Sequence, residues 1–427
     1  MLEETKPTHV LSLTGLRFVA AASIALAHLS LNINPKIFDV TIPLSLTAII
    51  GMPLFFTLSG FVIHYVYSAS FMAPSATTYA RFAVSRISRI FPLFLFFLAF
   101  HIMVTELGPA LLKKENFLVA LSYLTATFSW VPFMFDGTTP VEFRFGVSWS
   151  VSTELFFYVL YAVAIYRINQ ITSVRRCAYY LVAFTIFSYG YFAILFFTRE
   201  IWEPFALSHG VPMPSRQTDF LNSFYRWFLY VSPYSRIFEF IGGCLTCQLY
   251  LNCKREGVVF GGSWITYAGL TTATGFFLLY GYFAVTGVAW VSDNSLPALF
   301  MALHLNFLLA GPCYLLIFGL AVERSSLNQI LSAKIPLYLG DISYSIYLGH
   351  PVALMMAYIT AEAAYKGPRL ALALLMVVIL STGLYRVIEL PLKEWLRQIF
   401  SRAIRRATAL TPAAATVGVG EINRRAR

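Results

Sequence analysis

Charge is scarce in this chain: of its 427 residues only 12% are Asp, Glu, Lys or Arg, while 58% are hydrophobic. That excludes a water-soluble domain of this length, because too few polar side chains exist to cover its surface. Cysteine is scarce as well, at Cys177, Cys244, Cys247, Cys253 and Cys313. Cys244 and Cys247 form a CxxC inside an apolar stretch, without a second ligand pair. They read as small buried hydrophobes rather than as a metal or redox site. No Walker or GxGxxG phosphate loop occurs, nor any internal repeat of the kind that builds inverted-repeat transporters. The opening MLEETKPTHV is polar and mixed in sign, and the first apolar run lacks a small-residue cleavage site, so no cleavable signal peptide is expected.

What remains is apolar length. Segments long enough to span a bilayer run near 11–31, 44–67, 89–107, 148–168, 178–197, 228–251, 264–288, 299–321, 337–360 and 369–390. The 39 Phe and 25 Tyr suit lipid-facing surfaces and interfacial belts. An eleventh stretch, 117–135, is broken by Ser, Thr and Pro132 and ends in Asp136 and Gly137. Loop charge decides whether it crosses. If it does not, and the N-terminus is cytoplasmic, Arg81, Arg86 and Arg89 fall inside. So do Arg167, Arg175 and Arg176, then Lys254 and Arg255, Arg324 and Lys334, and the tail with Lys393, Arg397, Arg402, Arg405 and Arg406. The loop 289–298, with Asp293 and no Lys or Arg, falls outside. The expectation is therefore an all-α, polytopic transmembrane helical bundle of about ten spans. Both termini are cytoplasmic, and 117–135 is an interfacial or re-entrant piece. The net charge of +11 reads as topology rather than as a nucleic-acid footprint.

Ionisable groups at membrane depth are expensive and persist where something uses them. The first segment, LSLTGLRFVAAASIALAHLSL, holds Arg17 and His28. Eleven helical residues turn through about 1,100°, roughly 20° past three turns, so both point to one face about 16 Å apart. A cation and a proton-transfer group thus share one stripe. The competing account is an arginine snorkelling to the inner surface and a histidine satisfied by a neighbouring helix.

Other polar groups interrupt the remaining segments. WSVSTELFFY places Glu154 about one turn inside its span at the outer end, at the depth of His28. There it can orient that imidazole or serve as a helix-packing hydrogen-bond partner. Ser150, four residues earlier, shares its face. RISRIFP sets Arg86 and Arg89 at the inner mouth of the third span. They are either ordinary positive-inside charge or, with Arg17, a cluster for a phosphate-bearing ligand, since guanidinium groups bind phosphate oxygens bidentately. Arg236 and Glu239 in YSRIFEFIGG, and Arg386 and Glu389 later, have the three-residue spacing of internal ion pairs. His350 in LGDISYSIYLGHP lies mid-span, as a hydrogen-bonded core histidine or as the next candidate base. LSGF (58–61) offers a small-residue site where helices can approach closely.

Taken in order, LTGLRFVAAASIALAH, FFTLSGFVI, RISRIFP, WSVSTELFFY, RIFEFIGG and LGDISYSIYLGHP resemble the acyltransferase family 3 proteins across residues 10–395. These are membrane enzymes that transfer acyl groups, usually from acyl-coenzyme A, to sugar hydroxyls. The resemblance places the family's Arg-x10-His signature on Arg17 and His28. Its tryptophan motif falls on Trp149, Ser150 and Glu154, and its arginine pair on Arg86 and Arg89. Thr14 stands where many members have Asp, and Gly349 where many have Trp.

The resemblance implies an integral-membrane O-acyltransferase over residues 1–395, with 396–427 a basic, disordered cytoplasmic tail. It would move an acetyl or other short acyl group from acyl-CoA to a sugar hydroxyl. The acceptor would be an envelope glycan, an exopolysaccharide or a glycosylated small molecule. Arg17, Arg86 and Arg89 would hold the donor's phosphates. His28, oriented by Glu154, would act as base, with Arg17 in the same catalytic set and an acyl-histidine as the alternative route. Trp149, Ser150, Arg236, Glu239 and His350 would serve substrate or structure. No metal and no nucleic acid are expected, the protein would sit as a multi-pass protein in a bacterial cytoplasmic (inner) membrane, and a homo-oligomer is compatible with the sequence. The competing function is a transporter or flippase of a lipid-linked or anionic solute, using the same charges as a path.

Overall fold

The computed structural model describes residues 8–29, 36–37, 40–41, 47–140, 145–214, 217–360 and 366–410. Among them the chain is helical apart from a short antiparallel hairpin that pairs Lys36–Ile37 with Val40–Thr41. Ten expected segments fall on helices. Counting the ambiguous stretch too, the helices in chain order begin with α1 (Thr8–Leu29), α2 (Ala48–Tyr67), α3 (Ala76–Val104), α4 (Phe117–Leu124), α5 (Trp149–Asn169) and α6 (Val174–Phe197). Of these, α4 belongs to the ambiguous stretch. Then come α7 (Pro233–Glu256), α8 (Trp264–Val285), α9 (Leu296–Ala302), α10 (Ala310–Val322), α11 (Ser343–Thr360), α12 (Lys366–Leu384) and α13 (Leu390–Leu410). Seven helices are long and apolar enough to cross a membrane. The bent unit of α9 and α10, angled at 51°, makes an eighth candidate.

Two expected spans, α7 and α11, do not pass that test of apolarity. In α7 the reason is visible: Arg236, Glu239, Gln248 and Asn252 are all buried inside the bundle. The helix is polar in composition yet hides that polarity from lipid. It packs on α2 through two glycines. A Cβ on Gly60 would lie 2.0 Å from the Phe240 carbonyl oxygen, and one on Gly243 2.1 Å from that of Thr57. Only glycine permits this approach, as LSGF suggested.

Along α1, Ala21 and Ala25 form a small-residue face packed against Ile342, Ile346 and Ala353. His28, three residues beyond Ala25, extends the same face. The small side chains therefore set how closely α1 meets α11. Glu323, at the end of α10, accepts from the Ile265 and Thr266 amides at 2.9 and 2.8 Å and from the Thr266 hydroxyl at 2.7 Å. A buried carboxylate thus caps the first turn of α8.

The 117–135 stretch contains only the eight-residue α4, about 12 Å of helix against a core of ~30 Å. It then folds against α5: Ser129 donates its amide and hydroxyl to Ser152 Oγ, and Trp130 Nε1 donates to the Ser152 carbonyl at 2.9 Å. At the other end, α12 continues through a π-helical turn, Tyr385–Glu389, into α13. The tail expected to be disordered from residue 396 is therefore helical as far as Leu410, and 411–427 lie outside the described residues. The expected Arg386–Glu389 ion pair does not form. Arg386 is exposed, whereas buried Glu389 accepts from Ser345 Oγ at 2.6 Å. The π turn advances the chain differently from an α-helix, so a spacing of three no longer places two side chains side by side.

Candidate active site

Three elements of chemistry line up across α2 and α11. The first is a narrow cavity that gathers Arg17 from α1, Ser59 from α2, Arg86 and Arg89 from α3, Glu154 and Tyr158 from α5, and Ser343 and Tyr344 from α11. Three of its lining residues are arginines and Glu154 is the one acid among them. Both Ser59 Oγ and Tyr158 OH donate to Glu154 Oε1 at 2.6 Å. Arg86 donates to Tyr67 OH at 3.2 Å and lies over the Tyr67 and Tyr158 rings. The wall is thus positive, which in a low-dielectric interior favours an anion. Its free space is about 30 Å³, room for about two or three waters.

The second element is a histidine pair. His28 Nδ1 and His350 Nε2 are 2.7 Å apart, with rings stacked at a centroid separation of 5.0 Å. One ring must supply the N–H and the other the lone pair, so one proton serves both. The expected pairing of His28 with Glu154 is not made: Glu154 belongs to the arginine cavity.

Between these two, Tyr347 donates to the Val147 carbonyl and accepts from Ser150 Oγ, each at 2.7 Å. Its ring stacks on Phe55 and lies 6.1 Å from that of His350. Ser150 therefore serves Tyr347 rather than facing a ligand with Glu154.

The third element surrounds Arg236. Its Nη1 donates to both Glu239 oxygens, at 3.0 and 3.2 Å, its Nε to the Tyr230 carbonyl at 2.7 Å, and its guanidinium lies over Tyr230, Trp149 and Phe56. The ion pair expected from spacing is present and fully buried. Trp149 is a wall for this arginine, packed on Phe56 and Tyr230. A second, roomier cavity of about 280 Å³ lies here, lined by Ala48, Ile49, Met52 and Pro53 of α2 and by Arg226, Tyr230, Arg236, Tyr280 and His304. Arg226 is close enough to His28 to act on it electrostatically.

Arg17, Arg86 and Arg89 are brought together as expected. His350 joins His28, which no spacing could show across 322 residues. Ser59, Tyr158, Tyr230, Arg226 and Tyr347 were missed. Tyr158 had a signal, since it stands four residues after Glu154 and shares its face.

These features define an all-helical multi-pass membrane protein whose ionisable groups are collected inside the bundle. Residues 10–386 match the acyltransferase domain model of acyltransferase family 3. The chain belongs to that family and is a membrane acyltransferase. No curated protein and no solved structure matches it.

Proposed function

We propose that this protein is an O-acyltransferase of a bacterial cytoplasmic membrane that moves an acetyl or other short acyl group from acyl-CoA to a sugar hydroxyl. The observation that carries this reading is the joint placement of a cationic cavity and a histidine pair about 16 Å apart along one helix. The donor's phosphates sit among Arg17, Arg86 and Arg89. A wider cleft bounded by Arg81 of α3 and by Glu394, Arg397, Gln398 and Ser401 of α13 is the side from which the nucleotide arrives in this reading. The extended pantetheine arm then carries the thioester past Phe55 and Tyr347 to the histidines.

In the productive tautomer His28 donates its Nδ1 proton to His350 Nε2, which leaves the lone pair of His28 on Nε2. That nitrogen takes the acceptor hydroxyl proton as the oxygen attacks the thioester carbonyl. The C–S bond breaks, and the thiolate recovers the proton as coenzyme A leaves. His350 does for this imidazole what the orienting carboxylate does in a hydrolase triad. Glu154 is assigned instead to the arginine cavity, which it lines with Arg17, Arg86 and Arg89 and where its charge offsets part of their repulsion. An acyl-histidine on His28 is the second route, with the same residues.

The purified full-length protein, given acetyl-CoA and a panel of sugar acceptors, is expected to release coenzyme A in step with acceptor O-acylation. Solute uptake by proteoliposomes without any acyl transfer would overturn the reading and favour translocation.

The same proposal carries ten spans with both ends cytoplasmic. Single cysteines at 254 and 405 on a cysteine-free background should resist external labelling in intact cells, and one at 293 should label. External labelling at 405 would sink the ten-span arrangement.

A further inference from the structure

The acyl-transfer reading uses the arginine cavity for the donor and leaves the second cavity unassigned. Its volume of about 280 Å³ stands at the lower edge of small-molecule sites, about 300–1,000 Å³, which suits one compact ring rather than a chain. His304 is on its wall, with its ring against those of Tyr280 and Trp290 at centroid separations of 4.8 and 5.5 Å. Nδ1 of His304 rests on the Met301 carbonyl. A carbonyl oxygen only accepts, so Nδ1 carries the proton and Nε2 keeps a lone pair. Among the described residues no group donates to that Nε2.

Donors are left over as well. Arg236 lines the cavity with its Nε and Nη1 already spent on the Tyr230 carbonyl and on Glu239, whereas its Nη2 is buried without a hydrogen-bond partner. A buried donor left unpaired is costly, and an entering oxygen removes the cost. Tyr230 and Tyr280 line the same cavity, and among the described residues neither hydroxyl has a hydrogen-bond partner. Charge is not what the wall has in excess. Glu239 answers Arg236, and Arg226, also on the wall, makes an interaction of its own. The lone pair on His304 Nε2 needs an O–H or N–H, which a carboxylate or a fully ionised phosphate lacks. A hydroxyl group donates and accepts at once, so several of them on one ring meet both kinds of need. The tyrosine rings add faces against which the C–H side of a sugar can pack.

We propose that this cavity binds the acceptor as a neutral polyol, a sugar ring with one hydroxyl donating to His304 Nε2 and another oxygen accepting from Arg236 Nη2. Arg226 lines the cavity and is close enough to His28 to act on it electrostatically, which sets the site in the neighbourhood of the histidine pair. That the sugar is acylated from here rests on the acyl-transfer reading; the hydroxyl-binding site does not.

The test is direct binding to the full-length protein in nanodiscs, without acyl-CoA, by ligand-observed NMR titration. The probes are methyl glucoside, methyl galactoside, methyl xyloside, glucuronate and methoxytetrahydropyran, which is the xyloside ring without its hydroxyls. At least one methyl glycoside should bind about ten times or more tighter than methoxytetrahydropyran, and glucuronate no tighter than methyl glucoside. His304→Asn keeps an amide for the Met301 carbonyl but has no atom at Nε2. Arg236→Lys keeps a cation for Glu239 but removes Nη2, and unfolding temperature confirms that both variants fold. Each should weaken the glycoside about tenfold, the effect of leaving one buried hydrogen-bonding group unpaired. His304→Gln, which returns an oxygen near Nε2, should recover most of that loss. Arg89→Ala should leave glycoside binding unchanged, which excludes the inner arginines. Equal binding of the rings with and without hydroxyls, no binding of any glycoside, or a tenfold preference for glucuronate over methyl glucoside overturns the proposal. So does glycoside binding that neither His304→Asn nor Arg236→Lys weakens. None of those outcomes bears on acyl-CoA chemistry, so the two readings fail separately.

Discussion

His28→Ala should abolish acyl transfer, with a loss of at least ~10²-fold, the usual cost of removing a general base. Donor binding should survive, because the arginine cavity lies about three helical turns away along α1. The assay is acceptor O-acylation by variants matched for membrane expression, beside coenzyme A binding. His350→Ala should give a smaller defect. It leaves the His28 imidazole present but removes the group 2.7 Å from its Nδ1, and with it the preference for the tautomer that exposes a lone pair at Nε2. The ordering of the two variants is the informative result. A larger loss in His350→Ala would reverse the roles within the pair. Near wild-type transfer in His28→Ala would remove the pair from the chemistry altogether.

Much of this architecture was legible before any coordinates. Helical segments stand where apolar runs of spanning length occur, because both follow from the need to satisfy backbone groups internally in lipid. That α2 carries a site of close helix approach could be read from LSGF, since a glycine lets two backbones come near; that its partner is α7 could not. The arginine cluster was legible for a related reason: three cations near one membrane depth have few ways to be accommodated except around an anion.

What could not be read has equally physical causes. The partner of Glu154 was misjudged because counting residues along a helix does not show which neighbouring helix its carboxylate faces. Here Ser59 of α2 and Tyr158 of its own helix take up the carboxylate. The approach of His28 to His350 depends on the alanine face of α1 meeting α11, a tertiary event with no local periodicity. The Arg386–Glu389 pair failed because a π turn broke the assumed phase. Mean apolarity also passes over α7, because it cannot tell an inward polar face from an outward one.

Arg89→Ala should raise the KM for acyl-CoA by about ten- to hundredfold, the worth of one charge-assisted phosphate contact, and leave the acceptor KM near its wild-type value. The cavity geometry separates this effect from that of Glu154. Arg89 lines the cavity as one of three cations, whereas Glu154 is its lining acid, held by Ser59 and Tyr158. Glu154→Gln keeps an oxygen that accepts from both hydroxyls but removes the negative charge. Coulomb attraction for an anionic donor then increases, so the donor KM should fall while kcat stays within about tenfold of wild type, short of the loss expected for a missing base. Raising ionic strength should weaken donor binding in wild type and do so less in Arg89→Ala, where one of the screened charges is gone. Had Glu154 been the partner of His28, Glu154→Gln would depress kcat at unchanged donor KM. That pattern would return the carboxylate to the histidine and leave the arginines without an internal counter-ion. An unchanged donor KM in correctly inserted Arg89→Ala would assign Arg89 to topology alone, as one more positive charge on the inner side.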